Sequence, residues 1–217
     1  ILPIALRRSR VLEELGVKPG RDLVTLTLHR AENVDDRDRL SRIVAALVEL
    51  EELAIVYPVH PRAEKRLKAF GLWDALERAE HVVLTKPLGY LDFLRLLSSS
   101  RFVMTDSGGV QEEAITLRVP CITLRYNTER PETVDAGANV LAGAETELIV
   151  KYARLIHEDD EVWESMRPEH NPIGDGRAGE RIADIVVREH AEGRLRLYSP
   201  VFLERGSARY ALVEVKG

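Results

Sequence analysis

The stretch Phe102-Val103-Met104-Thr105-Asp106-Ser107-Gly108-Gly109-Val110-Gln111-Glu112-Glu113 runs from four apolar or β-branched residues, through a polar pair and two glycines, into a helical pattern. That succession reads as strand, turn and helix start. The same alternation recurs on both sides. Upstream, residues 23–28 read as a strand, and Leu40, Ile43, Val44, Leu47 and Leu50, spaced three and four apart, as one helix face. Residues 55–59 form a second strand, with Pro58 near its end, where a missing N–H is tolerated. A helix over 63–70, a strand from 82 and a helix over 90–97 follow. Downstream, residues 121–124 and 139–141 are two further strands, and two or three helices span residues 145–192. Strands alternating with helices predict right-handed crossovers, an α/β fold and a parallel sheet with helices on both faces. Ligands of such sheets bind at the carboxyl ends of the strands.

The remaining composition excludes several classes. With 217 residues, 45% hydrophobic and 31% charged, the chain is an ordinary globular protein that needs no cross-links to hold a core. A net charge of −5 leaves no electrostatic footprint for nucleic acid. The single cysteine, Cys121, forms neither an intrachain disulfide nor a metal cluster, and its apolar surroundings read as buried strand. No metal or cofactor is expected. The longest apolar run, residues 53–59, falls far short of the ~18 needed to cross a bilayer, and the apolar opening precedes Arg7-Arg8, the reverse of a signal peptide. A cytoplasmic protein with no membrane contact is expected, and the opening Ile1 suggests a processed or partial chain. Residues 195–203 and 208–215 are apolar stretches around Glu204-Arg205-Gly206-Ser207, a possible hairpin. The expected organisation is a domain over residues 1–192 and a tail over 193–217.

Polar residues follow the strands. His29-Arg30-Ala31-Glu32-Asn33 comes after the first, His60 after the second, Asp106-Ser107-Gly108-Gly109 after the fourth, and Arg125 and Thr128-Glu129-Arg130-Pro131-Glu132 after the fifth. Ser107, Gly108 and Gly109 open a helix, where glycines let a ligand approach the backbone and the first-turn amides favour an anion. The competing reading is an N-cap, Asp106 or Ser107, with glycines making a tight turn. Glu113, one turn further on, is placed to accept the two hydroxyls of a ribose, or else compensates the helix dipole. His29 and Arg130 are candidate phosphate partners. No Gly stands two residues before Ser107 and no Lys follows Gly109, so neither a nucleophile elbow nor a P-loop is present.

His29-Arg30-x-Glu32-Asn33, Tyr57-Pro58-Val59-His60, Thr105-Asp106-Ser107-Gly108-Gly109-Val110-Gln111-Glu112-Glu113, Thr128-Glu129-Arg130-Pro131-Glu132 and Asn171-Pro172-Ile173-Gly174-Asp175-Gly176 occur in this order. Together they resemble the C-terminal half of the non-hydrolysing UDP-N-acetylglucosamine 2-epimerases, from near the first residue to about Glu192. The resemblance implies a Rossmann-like UDP-binding domain, one of two that face each other across a cleft in the GT-B arrangement. It also implies interconversion of UDP-GlcNAc and UDP-ManNAc by elimination and re-addition of UDP.

By the same resemblance, Ser107, Gly108 and Gly109 match the diphosphate-binding turn, Glu113 the ribose ligand and Phe93 a residue near the uracil. His29 and Arg130 match side chains beside the diphosphate, which would stabilise the leaving group. Leu88 falls where some members carry Gln at the uracil. The tail after Glu192 does not match the family's usual ending. The proton-transferring carboxylates are expected from an N-terminal domain that this chain does not contain, and a homodimer is expected of the whole protein. Two other readings share these parts: a GT-B glycosyltransferase domain, and a non-catalytic module or fragment that binds nucleotide sugars.

Overall fold

The computed structural model describes residues 1–18, 23–194 and, as backbone, 198–202 and 210–214. In chain order the first unit carries α1 (Leu2–Arg8), α2 (Val11–Glu14), β1 (Leu23–Thr27), α3 (Ala31–Val34), α4 (Arg37–Glu49), β2 (Ala54–Pro58), α5 (Pro61–Ala69) and α6 (Trp73–Arg78). It continues through β3 (Val82–Thr85), α7 (Tyr90–Ser98), β4 (Phe102–Thr105), α8 (Gly108–Thr116), β5 (Cys121–Thr123), α9 (Pro131–Asp135), β6 (Asn139–Leu141), α10 (Thr146–Glu158) and α11 (Asp160–Ser165).

The six strands form one sheet in the order β3-β2-β1-β4-β5-β6, and every neighbouring pair is parallel. The chain winds outward from β1 to β3, then returns to lay β4 against the other side of β1. The strand order therefore reverses between β1 and β4, and a doubly wound sheet opens its ligand crevice at that reversal. His29 follows β1 and Asp106-Ser107 follows β4.

Alternation along the strands covers both faces. Val24 and Leu26 of β1 and Phe102 and Met104 of β4 pack in one cluster with Leu40, Ile43 and Leu47 of α4 and Ile149, Ala153 and Ile156 of α10. Their neighbours point the other way: Leu23 joins Leu12 of α2 and Leu96 of α7, while Val103 and Cys121 join Leu97 and Ala114. Cys121 is buried, which pushes its thiol up to about 12 and leaves it an inert core side chain.

The helices begin on recognisable caps. Asp36 accepts the amides of Asp38 and Arg39 to start α4, and Nδ1 of His60 accepts that of Arg62 to start α5 ahead of Pro61. Among the described residues no helix is long and apolar enough to cross a membrane.

The chain divides into two compact units, Ile1–Ile173 and Gly174–Gly217. The second carries α12 (Ala178–Ala191), β7 (Tyr198–Phe202) and β8 (Tyr210–Glu214), the last two paired antiparallel from Tyr198 opposite Glu214 to Phe202 opposite Tyr210. The proposed turn at Glu204-Arg205-Gly206-Ser207 lies outside the described residues. Asp175 accepts the amide of Arg177 and both terminal nitrogens of the Arg181 guanidinium.

Candidate functional site

The reversal between β1 and β4 brings His29 and Ser107 to one cavity of about 210 Å³, lined also by His60, Leu88, Phe93 and Val110. Three of the sequence candidates, His29, Phe93 and Ser107, thus share one wall system. Leu88, Phe93 and Val110 give the lining apolar groups, and His29 and Ser107 add polar ones.

Ser107 is the N-cap of α8, its hydroxyl accepting from the Val110 amide at 3.5 Å. The amides of Gly108 and Gly109 fall in the first turn, where no intrahelical acceptor is available to them. Neither glycine is required by the turn. Positive φ occurs at Gly16, Gly71, Gly137, Gly143, Gly174, Gly176 and Gly193, and not at these two. A Cβ added at Gly108 would meet nothing nearer than Glu129 Oε2 at 3.6 Å, and at Gly109 nothing nearer than Ser107 Oγ at 3.9 Å. The tight-turn reading of these glycines is therefore set aside: the protein's own packing would accept a methyl group at either.

Glu113 lies in the second turn of α8, under the influence of the Tyr90 hydroxyl at the start of α7. Burial pushes its carboxyl up, the neighbouring Glu112 adds to this, and Tyr90 pulls it back. Arg130 caps α9 rather than lining the cavity. Its Nε donates to Glu112 and its Nη1 to the Glu129 carbonyl at 2.8 Å. Neither Glu113 nor Arg130 lines the cavity.

Two features were not legible in the sequence. Arg125, which reads there as one more strand-end cation, is only 7% exposed and is consumed by carboxylates: it donates to Glu32, to Glu129 at 2.6 Å and to the Asn127 side-chain oxygen at 3.0 Å. The Arg125 guanidinium holds Glu129 down to about 2. No local signal marked this, because residues 125–129 are not helical and a four-residue spacing implies pairing only on a helix. Asp106 reads as a possible cap, yet it is 0% exposed and collects the amides of His29 and Arg30. A buried polar chain also runs from Asn139 to Gln111, and on from Gln111 to Thr128, pinning the loop that carries Arg130. Among the described residues no group of three or more His, Cys, Asp or Glu side chains is arranged to hold a metal ion.

Comparison with known proteins gives this arrangement a context. The family described as UDP-N-acetylglucosamine 2-epimerase matches residues 3–187. A UDP-N-acetylglucosamine 2-epimerase of Methanocaldococcus jannaschii is 48% identical over 169 residues, 76% of this chain and 44% of that protein. One from Methanococcus maripaludis is 44% identical over 192 residues, 87% of this chain and 51% of its own. The crystal structure of the M. jannaschii UDP-GlcNAc 2-epimerase in complex with UDP-GlcNAc and UDP gives a TM-score of 0.74 at 44% identity, covering 86% of this chain and 51% of that one. The chain spans about half the length of the curated relatives it matches.

Proposed function

The chain belongs to the UDP-N-acetylglucosamine 2-epimerase family, and from that premise we propose that it is the UDP-binding half of an enzyme interconverting UDP-GlcNAc and UDP-ManNAc. The observation that carries this reading is the glycine-started helix α8 at the reversal of the sheet, with His29 beside it and Glu113 one turn in. On this reading the amides of Gly108 and Gly109 and the Ser107 hydroxyl hold the diphosphate. Glu113 accepts the ribose hydroxyls, and the base lies against Phe93 and Leu88. The Leu88 side chain carries no amide for the uracil, so it meets the base by apolar contact.

Cleaving the anomeric C–O bond places negative charge on the departing diphosphate. Donors already fixed on that group lower the barrier because they need no reorganisation as the charge develops. His29, Arg130 and the helix-start amides fill that role. Removal and return of the C2 proton are assigned to carboxylates outside this chain, in a second domain equivalent to the rest of its relatives' length. A homodimeric, cytoplasmic enzyme supplying polysaccharide precursors is part of the same reading.

Titrating the chain with UDP in a calorimeter tests it: saturable binding supports the proposal, and its absence contradicts it. Substitution at Gly109 tests the mode. Gly109→Ala should leave the melting temperature unchanged or raise it, because Ala is favoured in a helix by up to ~1 kcal/mol. The same change should weaken UDP by ~1–3 kcal/mol, the cost of forcing a methyl group into a close contact. Unchanged affinity would mean that no ligand approaches this backbone.

A further inference from the structure

His29 and Asp106 stand at the two strands between which the sheet reverses, and their geometry carries an inference that rests on the UDP reading. Asp106 is buried, and its Oδ2 accepts the Arg30 amide at 2.8 Å, the His29 amide at 3.0 Å and Asn33 Nδ2 at 3.4 Å. Oδ1 is less loaded, with the His29 amide at 3.1 Å and His29 Nδ1 at 3.3 Å. The imidazole also lines the cavity shared with Ser107 and Phe93. Nδ1 is thus the ring nitrogen that faces the carboxylate, at ion-pair distance rather than in a formed hydrogen bond, and Nε2 is the nitrogen left for a ligand.

We propose that Asp106 is a positioning residue that keeps a proton on Nδ1 of His29, so that Nε2 donates to the diphosphate only in the imidazolium. A neutral imidazole carries one N–H. With that N–H drawn to Nδ1 by the facing Asp106 carboxylate, Nε2 is a lone pair facing phosphate oxygens that offer none but lone pairs. Binding to the neutral imidazole then takes up a proton from solvent, at Nε2, and changes no other bond.

The groups facing His29 are few. His60, from the end of β2, has its ring centroid 5.7 Å away, and its Nδ1 accepts the Arg62 amide. Arg30 is the next residue, with Nη1 3.8 Å from Glu129. Leu88, Phe93, Ser107 and Val110 carry no charge. The Tyr57 phenol, which donates to the Leu28 carbonyl at 3.5 Å, is pushed up by burial and stays neutral.

Two measurements test the proposal. Long-range proton–nitrogen NMR of the imidazoles, with His29 assigned by its loss in His29→Gln, should show neutral His29 protonated at Nδ1; protonation at Nε2 would overturn the idea. This needs no ligand and no folded Asp106 variant. UDP-GlcNAc, whose diphosphate is a diester that does not titrate near neutrality, should bind roughly tenfold more weakly at pH 8 than at pH 6.

In Asp106→Asn the amide oxygen keeps the Arg30, His29 and Asn33 donors and turns its NH2 towards Nδ1. Nε2 then carries the proton at every pH, and the affinity should vary by less than about twofold over that range. A slope kept in Asp106→Asn, or one lost in His60→Gln alone, overturns the proposal. If UDP-GlcNAc binds at neither pH, the UDP reading fails, while the NMR result still decides whether Asp106 sets the tautomer.

Discussion

Glu113→Ala should weaken UDP by ~1–3 kcal/mol, the worth of a pair of hydrogen bonds to a charged acceptor. The loss should shrink with 2′-deoxy-UDP, which keeps only the 3′-hydroxyl as a donor, and this separates ribose recognition from a general effect on α8. Stability moves the other way. Because burial disfavours the ionised form of Glu113, its folded carboxyl titrates above the unfolded one, and removing it should not lower the melting temperature near neutrality. The pH profile follows with the same sign. In the proposed role Glu113 accepts hydroxyls as a carboxylate, so the affinity difference between the native chain and Glu113→Ala should shrink as pH falls. It should begin to do so above the ~4.3 of an ordinary Glu. An Ala variant that binds UDP and 2′-deoxy-UDP as the native chain does would return Glu113 to a helix-dipole role.

Arg130 should discriminate by ligand charge. Arg130→Ala is expected to cost UDP ~1.5–3 kcal/mol and uridine almost nothing, the signature of a charge-assisted contact to the diphosphate. Its present partner makes a second expectation with the opposite sign. The Arg130 side chain donates to Glu112, so a diphosphate must compete with that carboxylate. Glu112→Gln should therefore strengthen UDP binding. Equal losses for UDP and uridine on removing Arg130 would point to a disturbed loop, since Arg130 sits beside the Thr128 and Gln111 contacts that pin it.

The sheet was legible because each strand is a short β-branched run closed by polar residues, and because crossovers between parallel strands have one hand. Strand order was not, since nothing local in Phe102-Val103-Met104-Thr105 says that it returns beside β1. The short helices α3, α6 and α9 escaped for a related reason: four to six residues give too little periodicity to distinguish a turn of helix from a loop. Ser107 was readable as a cap from its neighbours alone. Asp106 was not, because its partners His29 and Arg30 are 77 and 76 residues away. Arg125 misled for the same cause. A cation after a strand looks like a ligand contact until its carboxylates, one of them in the His29-Arg30-x-Glu32 segment, are seen around it.

That pairing bears on what this chain does with a bound sugar nucleotide. A base for the C2 proton must be ionised and free to take it up. Glu32 and Glu129 are held by Arg125, with Glu129 drawn down to about 2. Asp106 is enclosed by its donors, and Glu113 is assigned to the ribose. A carboxylate stabilised in this way is a weak base. Proton NMR of UDP-GlcNAc incubated with the purified chain in deuterated water tests this most directly, alongside calorimetry of UDP on the same sample. The account predicts that UDP binds while the C2 proton stays in place and no UDP-ManNAc forms; deuterium entering at C2 would show that a base for the reaction lies within these residues.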